Sequence, residues 1–317
     1  ESVNYIFHNA FYDVGWLTTM DIDIKGKIID TLIAAPIVDE NRFRFDLNSL
    51  AKDYLQESKS ETQLREAAKM WGLDPKADLW KLPASHVGTY AEQDAAVTLR
   101  LWHHLKKEIS AQNLINIFEL ETDLFPVLFE MKRKGVRIDL DKAEVIKNDL
   151  HKQEKQLLQS IKKLSGTSVE IWAATSVAKA FDALQIPYSH TETGKPSFDK
   201  NFLSSHDSPL AQMVVKAREI NKARTTFIDS ILKHSHRGRI HAEIHQMRSD
   251  QGGTVTGRFS YSNPNLQQIP ARNQIIGPLI RSLFIPEKNC KWGIFDYSQQ
   301  EPRLIAHYAS MKSFTGA

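Results

Sequence analysis

Two stretches of the sequence are the most informative about its fold: TGRFSYSNPNLQQIP at residues 256–270 and WGIFDYSQQEPR at residues 292–303. The first is rich in turn formers and in uncharged hydrogen-bonding side chains around a single arginine, Arg258. Side chains such as Asn265 and Gln267 can donate to the minor-groove acceptors that every base pair presents, and Arg258 can reach the same acceptors or a phosphate. This pattern predicts recognition of duplex shape rather than of base sequence. A cluster of hydrogen-bonded turns is the alternative interpretation.

The second stretch predicts a short buried strand followed at once by a helix. Residues 292–295 give the apolar strand pattern, and Pro302 places the start of the helix just before itself, because proline fits a helix only in its first turn. Asp296 would lie at the end of the strand, where a carboxylate can bind a metal ion, and Glu301 would point back toward the same cleft. A simple helix cap and a first-turn acid are the alternative.

Two further pairs of polar residues occur in the first third of the chain. Asn9 and Asp13 follow the strand-like run 3–7, and Tyr90 and Asp94 lie one turn apart on a predicted helix, above an apolar base. Asp94 could hold a divalent cation while Tyr90 aligns a water molecule, as metal-assisted phosphodiester hydrolysis requires. Taken singly, each residue also fits an ordinary turn or a favourable interaction with a helix dipole.

The pattern of apolar and turn-forming residues divides the chain into three parts. Residues 1–112 mix short apolar strand-like runs with helices, residues 113–238 are almost entirely helical, and residues 239–317 change to strands, turns and the strand-to-helix junction. A length of 317 residues agrees with two or three cores. The sequence opens with Glu1 directly before a strand-like run, so we expect a piece of a longer protein.

Two helices are predicted within the middle part. The first carries one apolar face and stops at Gly135; that face is formed by Leu120, Leu124, Val127 and Met131. The second begins at the cap Asp139 and ends at Gly166, with lysines along its outer face. Its predicted buried side consists of Ala143, Ile146, Leu150, Leu157, Ile161 and Leu164.

Composition excludes several classes of protein. Apolar residues make up 41% and charged residues 25% of the chain, which is typical of soluble globular proteins. No apolar run approaches the roughly 20 residues that cross a bilayer, so no membrane partner is expected. Cys290 is the single cysteine, which excludes an intrachain disulfide and a thiolate zinc site and favours a reducing, cytoplasmic environment.

The net charge of +3 conceals a local excess of positive charge. Residues 195–248 contain 10 Lys and Arg against 5 Asp and Glu, a net of +5, together with five histidines. A basic surface of this kind is suited to a polyanion such as DNA, although a solvated surface is the alternative.

The two informative stretches, taken together, resemble the family A DNA polymerases, the bacterial polymerase I type and its phage relatives. The pattern is TGRxSxxxPNLQxIP followed by DYSQxExR, and residues 280–284 and His307 fit the same family. Weaker likenesses are found at residues 194–199, 218–222 and 238–241. Asn-x-x-x-Asp and Tyr-x-x-x-Asp, in this order and about 80 residues apart, resemble the second and third motifs of the four-carboxylate 3′–5′ exonucleases.

This resemblance implies a fold, an activity and a set of ligands. Residues 1–112 would be a partial ribonuclease H-like exonuclease domain of α/β class, residues 113–238 a mostly helical thumb, and residues 239–317 the beginning of an α+β palm. The implied activity is template-directed DNA polymerisation in replication, with 3′–5′ proofreading, in the cytoplasm of a bacterial or phage-infected cell. Primer-template DNA and deoxynucleoside triphosphates are the implied partners, and Mg²⁺ in two-metal sites is the implied cofactor.

The resemblance also implies roles for single residues. The implied catalytic residues are Asp296, Glu301 and Tyr90. The implied metal ligands are Asp296, Asp13 and Asp94. The implied DNA contacts are Arg258, Asn265, Gln267, Arg218 and Lys222. The implied nucleotide contacts are Arg272, Glu301, Tyr297, Gln299 and His307. Glu301 would exclude ribonucleotides by crowding the 2′ position.

Several departures from the family pattern matter. Gln300 and Pro302 replace aliphatic residues that are more usual around the glutamate. The sequence contains neither the Asp-x-Glu exonuclease motif, nor the Lys-bearing helix for the incoming triphosphate, nor the later His-Asp-Glu turn. We therefore expect the 317-residue chain to be inactive alone. A dedicated 3′–5′ exonuclease and a noncatalytic duplex-binding protein are the alternatives.

Overall fold

The computed structural model describes residues 3–58, 62–75, 77–271 and 273–310. Its first part combines a two-stranded parallel sheet with helices, as the sequence predicts. The strands are β1 (Val3–Phe7) and β2 (Gly26–Asp30), in a register that pairs Val3 with Gly26 and Phe7 with Asp30. The helices of this part are α1 (Ala10–Thr19), α2 (Thr31–Val38), α3 (Leu47–Leu55), α4 (Thr62–Met70) and α5 (Ala84–Ala111), with a short 3₁₀ turn at Leu79–Lys81.

The core of the first part forms where α5 packs against α2 and α3. Val97, Leu101 and Leu105 of α5 are buried there with Phe45, which is fully buried. These three α5 residues lie near one face of the helix, because they are separated by one turn each. The predicted apolar base beneath Tyr90 and Asp94 is therefore present.

The next helix, α6 (Ile115–Lys134), packs against the first part of the chain. Its Phe118 joins the core around α5, and its Phe125 packs with Ala10 and Ile33. The four apolar residues predicted to share a face do so, but this is the outward side: Leu120, Val127 and Met131 are all exposed. The helix ends at Gly135 as predicted. A Cβ at Gly135 would lie 2.6 Å from the carbonyl oxygen of Ile240.

The middle part of the chain has the long capped helix that the sequence predicts. Asp139 accepts a hydrogen bond from Lys142 N at the start of α7 (Leu140–Ser165), and Gly166 ends it in a left-handed conformation. Ala143, Ile146, Leu150 and Ile161 are buried, but Leu164, in the last turn, is exposed, contrary to the prediction. The other elements are α8 (Ala174–Ala183), β4 (Ser189–His190), β5 (Pro196–Ser197), α9 (Lys200–Ser205), α10 (Pro209–Lys222), a π-helical turn (Ala223–Ile228) and α11 (Asp229–Lys233).

The helical middle part begins and ends at neighbouring strands. Strand β3 (Val136–Arg137), before α7, pairs with β7 (Arg239–Ile240), which pairs in turn with β6 (Ser235–His236). A second antiparallel pair joins β8 (Glu243–His245) to β9 (Ser260–Ser262). The remaining elements are a 3₁₀ turn (Leu266–Gln268), α12 (Ile276–Arg281) and α13 (Gln300–Ser310).

The predicted buried strand at residues 292–295 is wrong for this chain. The segment has no regular structure, and the side chains of Trp292, Ile294 and Phe295 are exposed, that of Phe295 by 96%. A strand needs a neighbouring strand to satisfy its backbone, and none of the strands described here pairs with this segment. The helix after it begins at Gln300, so Pro302 lies in its first turn as predicted.

None of the described helices is both long and apolar enough to cross a membrane.

Candidate functional site

The two polar pairs of the first part line one cleft of about 1620 Å³. Asn9 and Asp13 reach it from the β1–α1 junction and the first turn of α1, while Tyr90 and Asp94 reach it from α5. Residues that are about 80 positions apart in the sequence are thus brought to one place, as the motif interpretation requires. Their roles in hydrolysis remain predictions.

A buried carboxylate that sequence reasoning missed organises one side of this cleft. Asp30, only 4% exposed, ends β2 and accepts hydrogen bonds from three backbone amides. Its Oδ1 accepts from Asn9 N at 2.9 Å and from Leu32 N at 2.8 Å, and its Oδ2 accepts from Ala10 N at 2.7 Å. A single side chain therefore caps both α1 and α2 and fixes the junction that carries Asn9 and Asp13.

Burial controls the protonation of these acids. It raises the pKa of Asp30 to about 6, against the lowering effect of the three amide hydrogen bonds, and the charge of nearby Asp13 adds to the increase. Burial also raises the pKa of Asp13, although a backbone hydrogen bond opposes the shift. Ionising Asp13 and Asp30 is therefore unfavourable in free energy, and a bound cation nearby would offset this effect.

A short polar chain continues behind Asn9. Thr31 donates its hydroxyl proton to the carbonyl oxygen of Phe7 at 3.0 Å, and His8 Nδ1 lies 2.9 Å from the same hydroxyl oxygen. Because the hydroxyl proton is already used, His8 Nδ1 must be the donor in this pair. The imidazole at the cleft wall is therefore fixed in orientation.

The cleft combines exposed aromatic rings with arginines. Tyr12, Trp16 and Phe43 line it, and Phe43 is 91% exposed. Three arginines also line it: Arg44, Arg65 and Arg248. Aromatic rings that can stack on bases, next to cations that can contact phosphates, are the features that bind single-stranded nucleic acid. Sequence reasoning missed these residues, although Tyr12 and Trp16 stand one turn apart on the helix that carries Asp13.

The two informative stretches of the later part are in direct contact. Arg258 forms an ion pair with Glu301, and both side chains are mostly exposed. Asn265 and Gln267 are exposed in the 3₁₀ turn, where Asn265 Oδ1 accepts from Gln267 N at 3.1 Å and Gln267 Nε2 donates to Phe259 O at 2.8 Å. These bonds fit the turn-cluster interpretation, while the exposure leaves both amides accessible to a ligand.

The acidic and aromatic residues around the last helix are also exposed. Asp296 follows an irregular segment instead of a strand, so its predicted placement at a strand end is corrected along with that strand. Tyr297 and Gln299 lie in the same exposed segment, and His307 is exposed on α13. Arg272, a predicted nucleotide contact, lies outside the described residues.

The two predicted DNA contacts of α10 have different surroundings. Lys222 is exposed at the end of the helix. Arg218 instead donates through Nε to Ile171 O at 2.7 Å and through Nη1 to Phe198 O at 2.6 Å, with its guanidinium over the Trp172 ring. Two of its donors are already used by backbone carbonyls of the helical middle part, so the geometry assigns Arg218 a stabilising role there, and its contact with DNA stays a prediction.

The carboxylates of the cleft supply some of the ligands that a divalent cation needs. Asp13 and Asp94 supply hard oxygen donors to the same space, and a bound cation would offset the desolvation that raises the Asp13 pKa. Among the described residues there is no group of three or more His, Cys, Asp or Glu side chains that could hold a metal ion. These two acids therefore fit Mg²⁺ as part of a ligand set, and Asp296 fits it only as a single ligand.

Comparison with protein families follows the division seen in the structure. The model of DNA polymerase family A matches residues 140–317, and the model of a 3′–5′ exonuclease matches residues 1–110. This chain belongs to DNA polymerase family A. Family A polymerase and exonuclease domains generally use divalent metals. The predicted domain boundaries at 112 and 238 stay predictions, and the packing of α6 on the first part suggests that helix 115–134 is best grouped with it.

Phage and bacterial polymerases are similar to this family A chain along nearly all of its length. A DNA-directed DNA polymerase of Pseudomonas phage M6 is 36% identical over 96% of this chain and 47% of the relative. The DNA polymerase DpoZ of Vibrio phage phiVC8 is 31% identical over 95% of this chain and 52% of the relative. DNA polymerase I of Pseudomonas aeruginosa is 30% identical over 95% of this chain and 33% of the relative. The chain thus spans about half the length of these phage relatives.

A solved structure supports the fold. The POL domain of Pol1 from M. smegmatis, in complex with DNA primer-template and dNTP, superimposes with a TM-score of 0.68. The match covers 88% of this chain and 44% of that chain at 23% identity. The fold class predicted from the sequence, an α/β part followed by helical and mixed parts, is confirmed.

Proposed function

We propose that this family A chain supplies the 3′–5′ exonuclease cleft, the thumb and the first part of the palm of a template-directed DNA polymerase that proofreads. The observation that carries the proposal is the convergence of Asp13, Tyr90 and Asp94 on one cleft, in a chain whose later part belongs to the polymerase family. A dedicated exonuclease would leave the later motifs without a role, and a noncatalytic duplex-binding protein would leave the cleft without one.

The proposed role of the cleft is to hold the 3′ end of a single strand during hydrolysis. Tyr12, Trp16 and Phe43 stack on bases, while the arginines contact phosphates. Tyr90 aligns the attacking water, and Asp13 and Asp94 hold Mg²⁺. Mg²⁺, when bound, supplies charge stabilisation for the phosphodiester. Asp30 keeps the β1–α1 junction in place, so that Asn9 and Asp13 face the scissile phosphate.

The proposed role of the later part is to grip primer-template DNA beside the incoming deoxynucleoside triphosphate. Arg258, Asn265 and Gln267 contact the minor groove, and Lys222 contacts a backbone phosphate. Asp296 is a ligand for Mg²⁺, and Glu301 crowds the 2′ position of the sugar. The nucleotide contacts proposed beside them are Arg272, Tyr297, Gln299 and His307. The site of action that we infer is the cytoplasm of a bacterial or phage-infected cell.

Binding measurements on the purified chain test this function without requiring turnover. We expect fluorescence anisotropy to report separate binding of a short single-stranded oligonucleotide and of a primer-template duplex. Trp16→Ala should weaken single-strand binding and leave duplex binding unchanged, whereas Arg258→Ala should do the reverse. If both variants affect both ligands equally, a single nonspecific surface binds DNA and the assignment of two sites is wrong.

A further inference from the structure

A loop from the palm segment forms part of the wall of the exonuclease cleft. This docking loop, residues 246–253, follows β8, and three of its members line the cleft beside Asp13 and Asp94. The three are Arg248, Ser249 and Asp250. Neither family motif includes the loop, and the charge pattern alone does not single it out.

The docking loop is fixed to the first part of the chain at several points. Asp250 accepts from the backbone amide of Phe45 through both oxygens, at 3.2 and 3.3 Å, across 205 positions of sequence. Arg248 Nη1 donates to the carbonyl oxygen of Glu40 at 3.0 Å. Met247 packs into the apolar cluster that contains Ala10.

The base of the docking loop is anchored on the helix between the two parts. Gln246 is 4% exposed, and its Nε2 donates to the carbonyl oxygen and to the side chain of Glu121 on α6, at 2.7 and 2.6 Å. At its tip, Ser249 N donates to Gly252 O at 2.7 Å. A Cβ at Gly253 would lie 2.1 Å from Met247 O, so the tight return requires glycine there. The loop is therefore a rigid part of the cleft wall.

The contact of Asp250 determines where the rim of the cleft lies. Phe45 is fully buried in the first core, while Phe43 and Arg44, just before it, line the cleft. By binding the Phe45 amide, Asp250 therefore fixes the point at which the chain passes from the buried core to the cleft rim formed by Phe43 and Arg44. Arg248 lies next to this rim, and its contact with Glu40 uses only one of the five N–H donors of a guanidinium.

We propose that Arg248 binds a phosphate of the single strand in the exonuclease cleft, and that Asp250 is a positioning residue that holds the Phe43–Arg44 rim against the palm. The inference rests on the proposed exonuclease function and adds to it the palm's own contribution to the cleft. The proposed contact is a charge-assisted hydrogen bond from the Arg248 guanidinium to a phosphate of the DNA strand. This phosphate would lie farther along the DNA strand than the one beside Asp13 and Asp94. The polymerase part would thereby help to define the exonuclease substrate site.

The test uses the whole 317-residue chain and a fluorescein-labelled oligothymidylate of about six nucleotides, with EDTA present so that no hydrolysis occurs. Arg248→Ala should weaken binding about three- to tenfold at low salt and reduce the slope of log affinity against log salt by about 0.7, the value for one single-strand phosphate. Arg248→Lys should restore the slope. Arg133→Ala, on the exposed face of α6, is the matched control and should bind as the wild type does.

Substitution of Asp250 gives a second test. An effect of its charge alone and a role in positioning the rim predict opposite changes in DNA affinity. Removal of a carboxylate from a DNA-binding cleft should strengthen binding if only charge matters. Asp250→Ala should instead weaken it and should accelerate hydrogen exchange at the Phe45 amide, while Asp250→Asn, which keeps an acceptor oxygen, should bind at least as tightly as the wild type. Tighter binding by Asp250→Ala would overturn the positioning role.

The outcomes separate this inference from the proposed function. If Trp16→Ala weakens single-strand binding while Arg248→Ala leaves its affinity and salt slope unchanged, the cleft binds DNA and the inference about Arg248 is wrong. If Trp16→Ala has no effect, the strand does not lie in the cleft, and the proposed function and the inference both fail. The Arg248→Ala and Arg248→Lys pair decides the matter even if Asp250→Ala does not fold.

Discussion

Arg258 and Glu301 form an ion pair that joins two sequence motifs 43 residues apart. One partner belongs to the turn-rich stretch predicted to contact the minor groove, and the other to the first turn of α13. Both side chains are mostly exposed, so the pair contributes little to the stability of the chain. The pair matters because the Glu301 carboxylate is bound to Arg258, the arginine that we propose to contact DNA.

We expect Glu301→Ala to tighten duplex binding by the isolated chain severalfold, because the change frees Arg258 and removes a negative charge. Arg258→Ala should weaken it. Anisotropy of a labelled primer-template duplex measures both, with Glu130→Ala as a control, since Glu130 also pairs with an exposed arginine but lies on α6. Unchanged affinity in Glu301→Ala would mean that Arg258 does not contact DNA.

Loss of Asp30 should destabilise the first part of the chain more than the loss of an ordinary helix cap. Asp30→Ala leaves three amides at a buried site without their acceptor, and we expect a cost of about 3–5 kcal/mol. Asp139→Ala, which removes the single amide contact that caps α7, should cost about 1 kcal/mol. Urea unfolding followed by circular dichroism compares the two. Similar costs would show that Asp30 is only a local cap of α2.

The raised pKa of Asp30 predicts a pH dependence of stability with a definite sign. The folded pKa of about 6 exceeds the ordinary aspartate value of 3.8, so the folded state binds the proton more tightly than the unfolded state. The contribution of Asp30 is therefore most favourable below the unfolded pKa and is lost as the pH rises toward 6. Between the ordinary pKa of 3.8 and the folded pKa of about 6, the unfolding free energy of the wild type should fall by about 1–3 kcal/mol relative to that of Asp30→Asn. Above pH 6 the difference between the two proteins should stay constant. Denaturant titrations at a series of pH values measure the difference, and parallel profiles would contradict it.

Salt dependence should distinguish the two basic residues of α10. Lys222→Ala should reduce the slope of log duplex affinity against log salt by about 0.9 and leave the unfolding free energy unchanged, because it removes one phosphate contact from an exposed site. Arg218→Ala should lower the unfolding free energy, because it leaves Ile171 O and Phe198 O without their donor. Lys52→Ala, on α3, serves as the control for nonspecific charge.

Primer extension tests whether this chain polymerises alone. We expect no incorporation, because the sequence holds Asp296 but neither the second metal-binding aspartate nor the triphosphate-binding helix that the family pattern implies. Losing such a site costs several kcal/mol of transition-state stabilisation, about a thousandfold or more in rate. A gel assay with a complete DNA polymerase I as positive control gives the answer. Incorporation that copurifies with the chain and is abolished in Asp296→Ala would refute this expectation.

The features that the sequence predicted well are those set by neighbouring residues. Asp139 and Gly166 bound α7 because a cap and a left-handed stop act within one turn. Asp13 and Asp94, each part of a recognisable spaced motif, also line one cleft, while their joint binding of a metal ion stays a prediction. In both cases the information is contained in a few adjacent positions.

The features that were missed depend on distant partners. Asp30 reads as an ordinary cap of α2, and only the fold shows that it also receives the amides of Asn9 and Ala10, about 20 positions away. The expected strand at 292–295 is apolar enough, but its formation depends on a pairing strand that its own residues do not specify. The apolar face of α6 was predicted, but its exposure was not, since periodicity identifies an apolar face without saying what covers it.

The pairing of β3 with β7 has a topological consequence. Because the chain leaves this ladder at Val136 and Arg137 and returns at their direct partners Arg239 and Ile240, the region between the two strands begins and ends at adjacent points. Changes of length or shape within this region therefore need not alter how the parts before and after it are placed. We expect a region whose two ends lie side by side to be exchangeable between related chains, with the two-residue ladder as the point of joining.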